Sequence, residues 1–130
     1  MIILDASAVV ELVVEPATTT RALRGRLRSD PDAQAPHLVD AEVANALRRK
    51  LLSGELDLAR AVRAIRRLKL MGLVRWQQTQ LLDRALALRN QLTAYDAIYV
   101  AMAEVTGATL LTRDARLART AGHRARVELV

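Results

Sequence analysis

Apolar positions along the chain fall into two kinds of block. "MIIL" at residues 1–4, "LVRWQ" at 73–77, "ATLLT" at 108–112 and "RVELV" at 126–130 are short and mostly apolar, as strands inside a sheet are. Longer stretches repeat apolar residues at helical spacing and end at glycine or proline. The first strand covers residues 2–4. Ser7 then caps a helix that runs to about Glu15, where Pro16 helps to end it. "TTTRALRGRLRS" reads as a second, basic helix, and Gln34–Pro36 as a short extended piece. Helices follow from Leu38 to Leu52, closed by Gly54, and from Leu58 to Met71, closed by Gly72. After the strand in "LVRWQ" come helices over Gln80–Asn90 and Ala94–Val105, the strand "ATLLT", a helix over Ala115–Ala121 and the last strand. Strands alternating with helices predict an α/β fold: a central parallel sheet of four to five strands, covered on both faces. No repeat, linker or low-complexity segment divides residues 1–130, so one domain is expected.

With 130 residues, 52% of them hydrophobic, the chain is long enough to bury roughly two-thirds of its unfolded surface. Cysteine is absent, which removes disulfides and thiolate zinc sites. Charges interrupt every apolar stretch short of a membrane span, and the N-terminal run stops at Asp5, so the expectation is a cytoplasmic protein with no membrane association. The net charge of +6 comes from 20 cations against 14 acids, and only Lys50 and Lys69 among the cations are lysine. Arginine forks suit phosphate, and a positive field attracts polyanions. Three aromatics, Trp76, Tyr95 and Tyr99, are too few to grip single strands by stacking, so a nucleic acid would be held by its backbone.

The acids change the picture most. In "AYDAIYVAMA" one charge, Asp96, stands in the first turn of an otherwise core-like helix, where Thr93 and Asp96 could also form a capping box. Twelve helical residues lead roughly 18 Å away from Asp96, and the five-residue strand leads roughly 17 Å back. Asp114 therefore returns to the level of Asp96. Asp5 ends the first strand, and Glu42 comes early in the helix after the Gln34–Pro36 strand. All four acids fall on the carboxyl edge, where open parallel sheets bind ligands. Carboxylates gathered there repel one another unless a cation offsets them, and a divalent metal does so with a single ion. Separate helix-start roles are the plainer alternative. Asn45, three residues after Glu42, can orient the site; Ser7 and Thr112, each two residues from an acid, can hold a water or simply cap. Asp40 reads as a capping residue, His37 as a surface or hydrogen-bonded histidine, and His123 as a surface residue.

"MIILDASAVVEL", "PHLVDAEVANAL" and "LTAYDAIYVAMAEVTGATLLTRDARLARTAG" together resemble the PIN-domain nucleases, and among them the VapC-type toxins of bacterial toxin-antitoxin pairs. The resemblance spans essentially the whole chain and implies a PIN-like fold. It puts the family's acidic site on Asp5, Glu42, Asp96 and Asp114, with Ser7 and Thr112 in support; the spacing to Asn45 selects Glu42 over Asp40. It implies an endoribonuclease dependent on Mg²⁺ or Mn²⁺, cutting RNA by metal-activated water and inhibiting translation, restrained by a cognate antitoxin. Asp5, Asp96 and Asp114 would hold the metal. A homodimer is expected too. "ASAVVELVV" at 6–14 has apolar residues on more than one helix face, which calls for burial by the core or by a partner.

Two other acid-bearing α/β classes fit less well. Response-regulator receivers resemble one another in an acidic pair after the first strand and a lysine near the last; here Asp5 has no acidic neighbour and no lysine follows Lys69. Dehalogenase-like phosphatases need D-x-D, and the third position is Ser7. A noncatalytic basic RNA-binding module with the same fold is the remaining alternative.

Overall fold

A computed structural model describes all residues, 1–130. Its elements run β1 (Ile2–Leu4), α1 (Ala6–Val14), α2 (Arg21–Ser29), β2 (Ala33–Pro36), α3 (Leu38–Leu52), α4 (Leu58–Leu70), β3 (Val74–Trp76), α5 (Leu82–Ala87), α6 (Ala94–Thr106), β4 (Thr109–Thr112), α7 (Ala115–Arg119) and β5 (Arg126–Leu129). The five strands form one parallel sheet in the order β3-β2-β1-β4-β5.

β1 lies at the centre because all three of its side chains are large and apolar. Successive strand residues face opposite sides of a sheet, and Ile2, Ile3 and Leu4 are all buried, so both faces of β1 are covered. α6, backed by α5, packs on β1, β2 and β4, while α1, α3 and α4 form the other group of helices. Ala97 to Ala103 are buried without a break. Alanine at 97, 101 and 103 lets the neighbours of α6 approach closely. Gly107 ends this helix in the left-handed region at φ +70, and its N–H donates to Ala103 O at 2.9 Å; a side chain there would be strained.

Strand order reverses between β1 and β4, which pair as Leu4 with Leu111. Chain direction after one strand leads to β2 and after the other to β5, so a crevice opens where they part. Asp5 follows β1 directly, and its N–H donates to Leu111 O at 3.2 Å, fixing the level of the two strand ends.

Several boundaries differ from expectation. Asp5, not Ser7, caps α1: its carboxylate accepts from Ala8 N, because the Ser7 hydroxyl is directed to Asp5 itself. The Gln80–Asn90 helix is instead a 3₁₀ turn at Thr79–Leu81 and the short α5, followed by turns through Leu92. α7 stops at Arg119 rather than Ala121. α1 spends its apolar faces internally: Val9 and Val13 are buried, and Val10, Leu12 and Val14 are half-buried against the core. The core thus takes up most of its apolar surface and leaves Val10, Leu12 and Val14 partly exposed. Exposed large apolar side chains lie elsewhere, among them Leu52 at the end of α3, Leu58, Val62 and Leu70 along α4, and Leu82, Leu86 and Val105 on α5 and α6.

Candidate active site

Each strand end and helix start at the switch point delivers one acid. Asp5 is buried, at 6% exposure. One of its oxygens accepts from Ser7 Oγ at 2.7 Å and Ala8 N at 2.9 Å, and the other from Thr112 Oγ1 at 2.5 Å. Thr112 is fully buried and also accepts from Asp114 N at 2.9 Å, while Ser7 Oγ accepts from Arg113 N at 2.8 Å. These hydroxyls position Asp5 and lock the turn after β4 onto the turn after β1. Both give their proton to Asp5, so they orient that acid.

Glu42 sits one turn into α3, half-buried, and accepts from Tyr99 Oη at 2.7 Å. Tyr99, three residues after Asp96 on α6, is itself buried. Asn45 stands one turn beyond Glu42, exposed at the cleft, and makes no hydrogen bond to it. Asp96 and Asp114 form the outer wall. Asp96 N donates to Thr93 Oγ1 at 3.2 Å, so Thr93 caps α6, but the Asp96 side chain turns to Arg116 rather than closing a capping box. Asp114 caps α7 by accepting from Arg116 N and Leu117 N. The Arg116 guanidinium bridges the pair, 3.3 Å from Asp96 Oδ2 and 3.5 Å from Asp114 Oδ2.

All four acids line one cleft of about 440 Å³, together with Ser7, Asn45, Tyr99, Arg49 and Lys50. Two of the four, Asp5 and Asp114, serve as helix caps as well, so capping and membership of the acid cluster coexist. Burial pushes the Asp5 carboxyl above the usual carboxylate range, against the lowering effect of Thr112, Ser7 and Ala8, and the Asp96 charge adds to the rise. Glu42 is raised in the same way, first by burial and then by the charges of Asp96 and Asp5, while the Tyr99 hydrogen bond lowers it. Burial and the Glu42 charge keep the Tyr99 hydroxyl protonated far above its ordinary value, so it stays a donor.

These carboxylates are hard oxygen donors, the set that suits Mg²⁺ or Mn²⁺. As they stand, no three acidic side chains form a ready-made cage. Mg²⁺ does not need one, since it keeps several waters and takes one or two carboxylates. Asp5, buried, and Glu42, half-buried, both without a cationic partner, fit such an ion together with the neighbouring Asp96 and Asp114.

Other expectations land elsewhere. Asp40 does not cap α3; it makes a two-pronged pair with Arg75 of β3, Nε to Oδ2 at 2.7 Å and Nη2 to Oδ1 at 2.8 Å. His37 occupies the N-cap position without a side-chain cap bond, exposed and absent from the cleft lining. His123 is half-buried, and both ring nitrogens are shielded from solvent without a hydrogen-bond partner. Tyr99, Arg49, Lys50 and Arg116 are the members of this site that the sequence reading missed. Tyr99 carries the one visible signal: it lies on the Asp96 face of α6, three residues on.

The PIN domain model matches residues 2–123. The chain belongs to the PIN-domain family. It is 38% identical over 129 residues to Ribonuclease VapC1 of Mycobacterium tuberculosis (strain ATCC 25618 / H37Rv), covering 98% of this chain and 96% of the relative. Among solved structures, PAE2754 from Pyrobaculum aerophilum superposes with a TM-score of 0.69 at 28% identity, covering 89% of this chain and 82% of that one. A toxin-antitoxin complex from Klebsiella pneumoniae shares the fold, with a TM-score of 0.63 at 19% identity over 92% of this chain and 91% of that one. This PIN domain thus places its acids at the switch point of the five-stranded parallel sheet. No helix in it is long and apolar enough to cross a membrane.

Proposed function

We propose that this PIN domain is an endoribonuclease of the VapC type, dependent on Mg²⁺ or Mn²⁺, that cuts RNA with water and inhibits translation as the toxin of a toxin-antitoxin pair. The observation that carries the reading is the convergence of Asp5, Glu42, Asp96 and Asp114 on one cleft, in a chain 38% identical to a ribonuclease VapC. Asp5, Asp96 and Asp114 would hold the ion, with Glu42 completing the set. When bound, the ion supplies charge that activates water and offsets the charge developing on the phosphate. Ser7 and Thr112 keep both Asp5 oxygens in place and ionisable. Tyr99 fixes Glu42 while remaining neutral. Glu42 can take up the proton released by attacking water, because burial raises its carboxyl above the ordinary carboxylate value.

The partner belongs to the same proposal. Between α3 and α4 a groove is apolar along Leu47, Leu51, Val62 and Ile65 and flanked by Arg48, Arg66 and Lys69, with no acid on it. An amphipathic helix of the antitoxin, apolar on one face and acidic at its margins, complements that surface. The homodimer rests on the family resemblance alone, since α1 is spent on the core; light scattering at micromolar concentration should give twice the monomer mass, and a clean monomer would remove it.

The direct test of the activity is incubation of purified protein with total cellular RNA, with Mg²⁺ or Mn²⁺ and with EDTA, followed by mapping of new 5′ ends. Discrete new ends that need the metal are expected. RNA that is bound but left intact under all conditions would favour the noncatalytic module instead.

A further inference from the structure

We infer that Arg49 holds an RNA phosphate beside the one that is cut, so that the acid cleft continues into a cationic subsite along α3. This deepens the ribonuclease reading and rests on it. Glu42, Asn45, Ala46 and Arg49 recur at spacings of three and four, so they share one face of α3, and all four line the cleft. Seven residues of helix place Arg49 about 10 Å along the axis from Glu42. That offset sets the two residues two helical turns apart along the same cleft.

The two cations in the cleft are not equivalent. Lys50 Nζ is turned to Glu55 Oε2 at 3.2 Å. The Arg49 side chain makes no ion pair and donates no hydrogen bond within the chain. Arg116, the other cation at the site, is engaged by Asp96 and Asp114. Arg49 is therefore the cation of the cleft that no acid engages, and a guanidinium fork binds phosphate in a two-pronged way. Val10 and Ala46 line the same cleft, leaving an uncharged stretch where a ribose and base can lie. Arg49 also stands in the last turn of α3, where a cation complements the helix end. That role would show in stability and not in RNA affinity.

The experiment measures binding of a labelled single-stranded RNA oligonucleotide by the full chain in EDTA, across 50 to 200 mM salt as typically used for such slopes. Arg49→Ala should weaken binding at least about fivefold and make the salt slope shallower by about 0.7, the value of one phosphate contact on a single strand. Arg49→Lys should recover much of the affinity, and Lys50→Ala should change it less than Arg49→Ala does. Melting temperature should stay close to the parent's; Arg49→Gln, which keeps more of the stem, is measured beside it to separate binding from folding. With Mn²⁺ present, Arg49→Ala should raise KM and leave kcat nearly unchanged. Parent-like affinity and slope in folded Arg49→Ala and Arg49→Gln, with a parent that binds and cuts RNA, would overturn the subsite alone. A parent that neither binds nor cuts RNA would overturn the ribonuclease reading with it.

Discussion

On the inner wall of the cleft, Asp5 and Glu42 are held by neutral hydroxyls: Ser7 and Thr112 for one, Tyr99 for the other. On the outer wall, Asp96 and Asp114 share the guanidinium of Arg116, whose side chain is 72% exposed. Neutral donors fix an acid in place without cancelling its charge, whereas an arginine cancels charge and fixes little in solvent. The inner wall thus keeps its acids without an ion-pair partner, and the outer wall holds acids that can exchange Arg116 for another partner at small cost. The inner wall belongs to the buried ends of β1 and β4 and to α3 and α6; the outer wall belongs to the starts of α6 and α7, at the surface.

The sharpest way to break this contrast is to neutralise one acid of the outer wall. On the proposed ion-holding role of Asp96, Asp96→Asn should lower RNA cleavage at least about a hundredfold at saturating Mn²⁺, because one carboxylate charge that would hold the ion is removed. Its folding stability in EDTA should stay within about 1 kcal/mol of the parent's, as expected for an exposed pair with Arg116. Cleavage rate and thermal melting are read together, with Asp83→Asn as a surface control. Parent-like cleavage would remove Asp96 from the catalytic set.

On the inner wall the same kind of change should cost stability as well. Thr112→Val strips Asp5 of a buried donor and Asp114 N of its acceptor, which should cost about 1–3 kcal/mol in denaturant unfolding. Cleavage should fall by about tenfold or more, since Asp5 is both displaced and pushed further toward its neutral form. A Thr112→Val variant as stable as the parent would mean that the inner wall is no more rigid than the outer.

Acidity offers a third handle. Burial and the charges of Asp96 and Asp5 raise Glu42, so the folded chain holds that proton more tightly than the unfolded chain does. Stability from this group therefore falls as pH rises from the ordinary carboxylate value through the raised one, and stays low above it. Glu104 works the other way: Arg84 holds it down to about 2, so its contribution is present at neutral pH and is lost progressively as pH falls from the ordinary carboxylate value through about 2. Comparing Glu42→Gln with the parent isolates the first effect. In EDTA the variant should be the more stable at pH 7, and the gain should vanish near pH 4, where the unfolded carboxyl is about half protonated. A gain that grew toward low pH would contradict the assigned sign.

Arg116→Ala should have the smallest effect on folding, within about 0.5 kcal/mol by denaturant unfolding, as for most surface substitutions. Divalent-ion affinity should rise modestly, because Arg116 competes for Asp96 and Asp114. A fall in that affinity would show that Arg116 orders the outer wall rather than screening it.

Much of the acid edge could be read from the chain because strand ends and charge placement are local signals. Asp5 and Asp114 each follow a short apolar strand, and Asp96 is the lone charge in the first ten residues of α6. Partners that meet across the fold left no such trace. Tyr99 sits in an apolar run that reads as core, and its contact with Glu42 joins residues 57 apart. Asp40 looked like a cap because Arg75, its partner, lies 35 residues away on β3. At the start of α1, Asp5 and Ser7 are both good capping types, and only the tertiary bond between them decides that Asp5 takes the role. The division of the Gln80–Asn90 segment into a 3₁₀ turn and α5 has no marker in its residues, whose apolar spacing continues to Leu88.

The central claim is that the cleft is a divalent-cation site built on an inner wall whose charge is left open. It is tested most directly by calorimetric titration of Mn²⁺ or Mg²⁺ into tag-free protein that has been stripped with EDTA, desalted and shown to be folded. The account predicts binding of one or two ions per chain, weakened at least tenfold in Asp96→Asn and also in Asp5→Asn. A folded parent that takes up neither ion would contradict it.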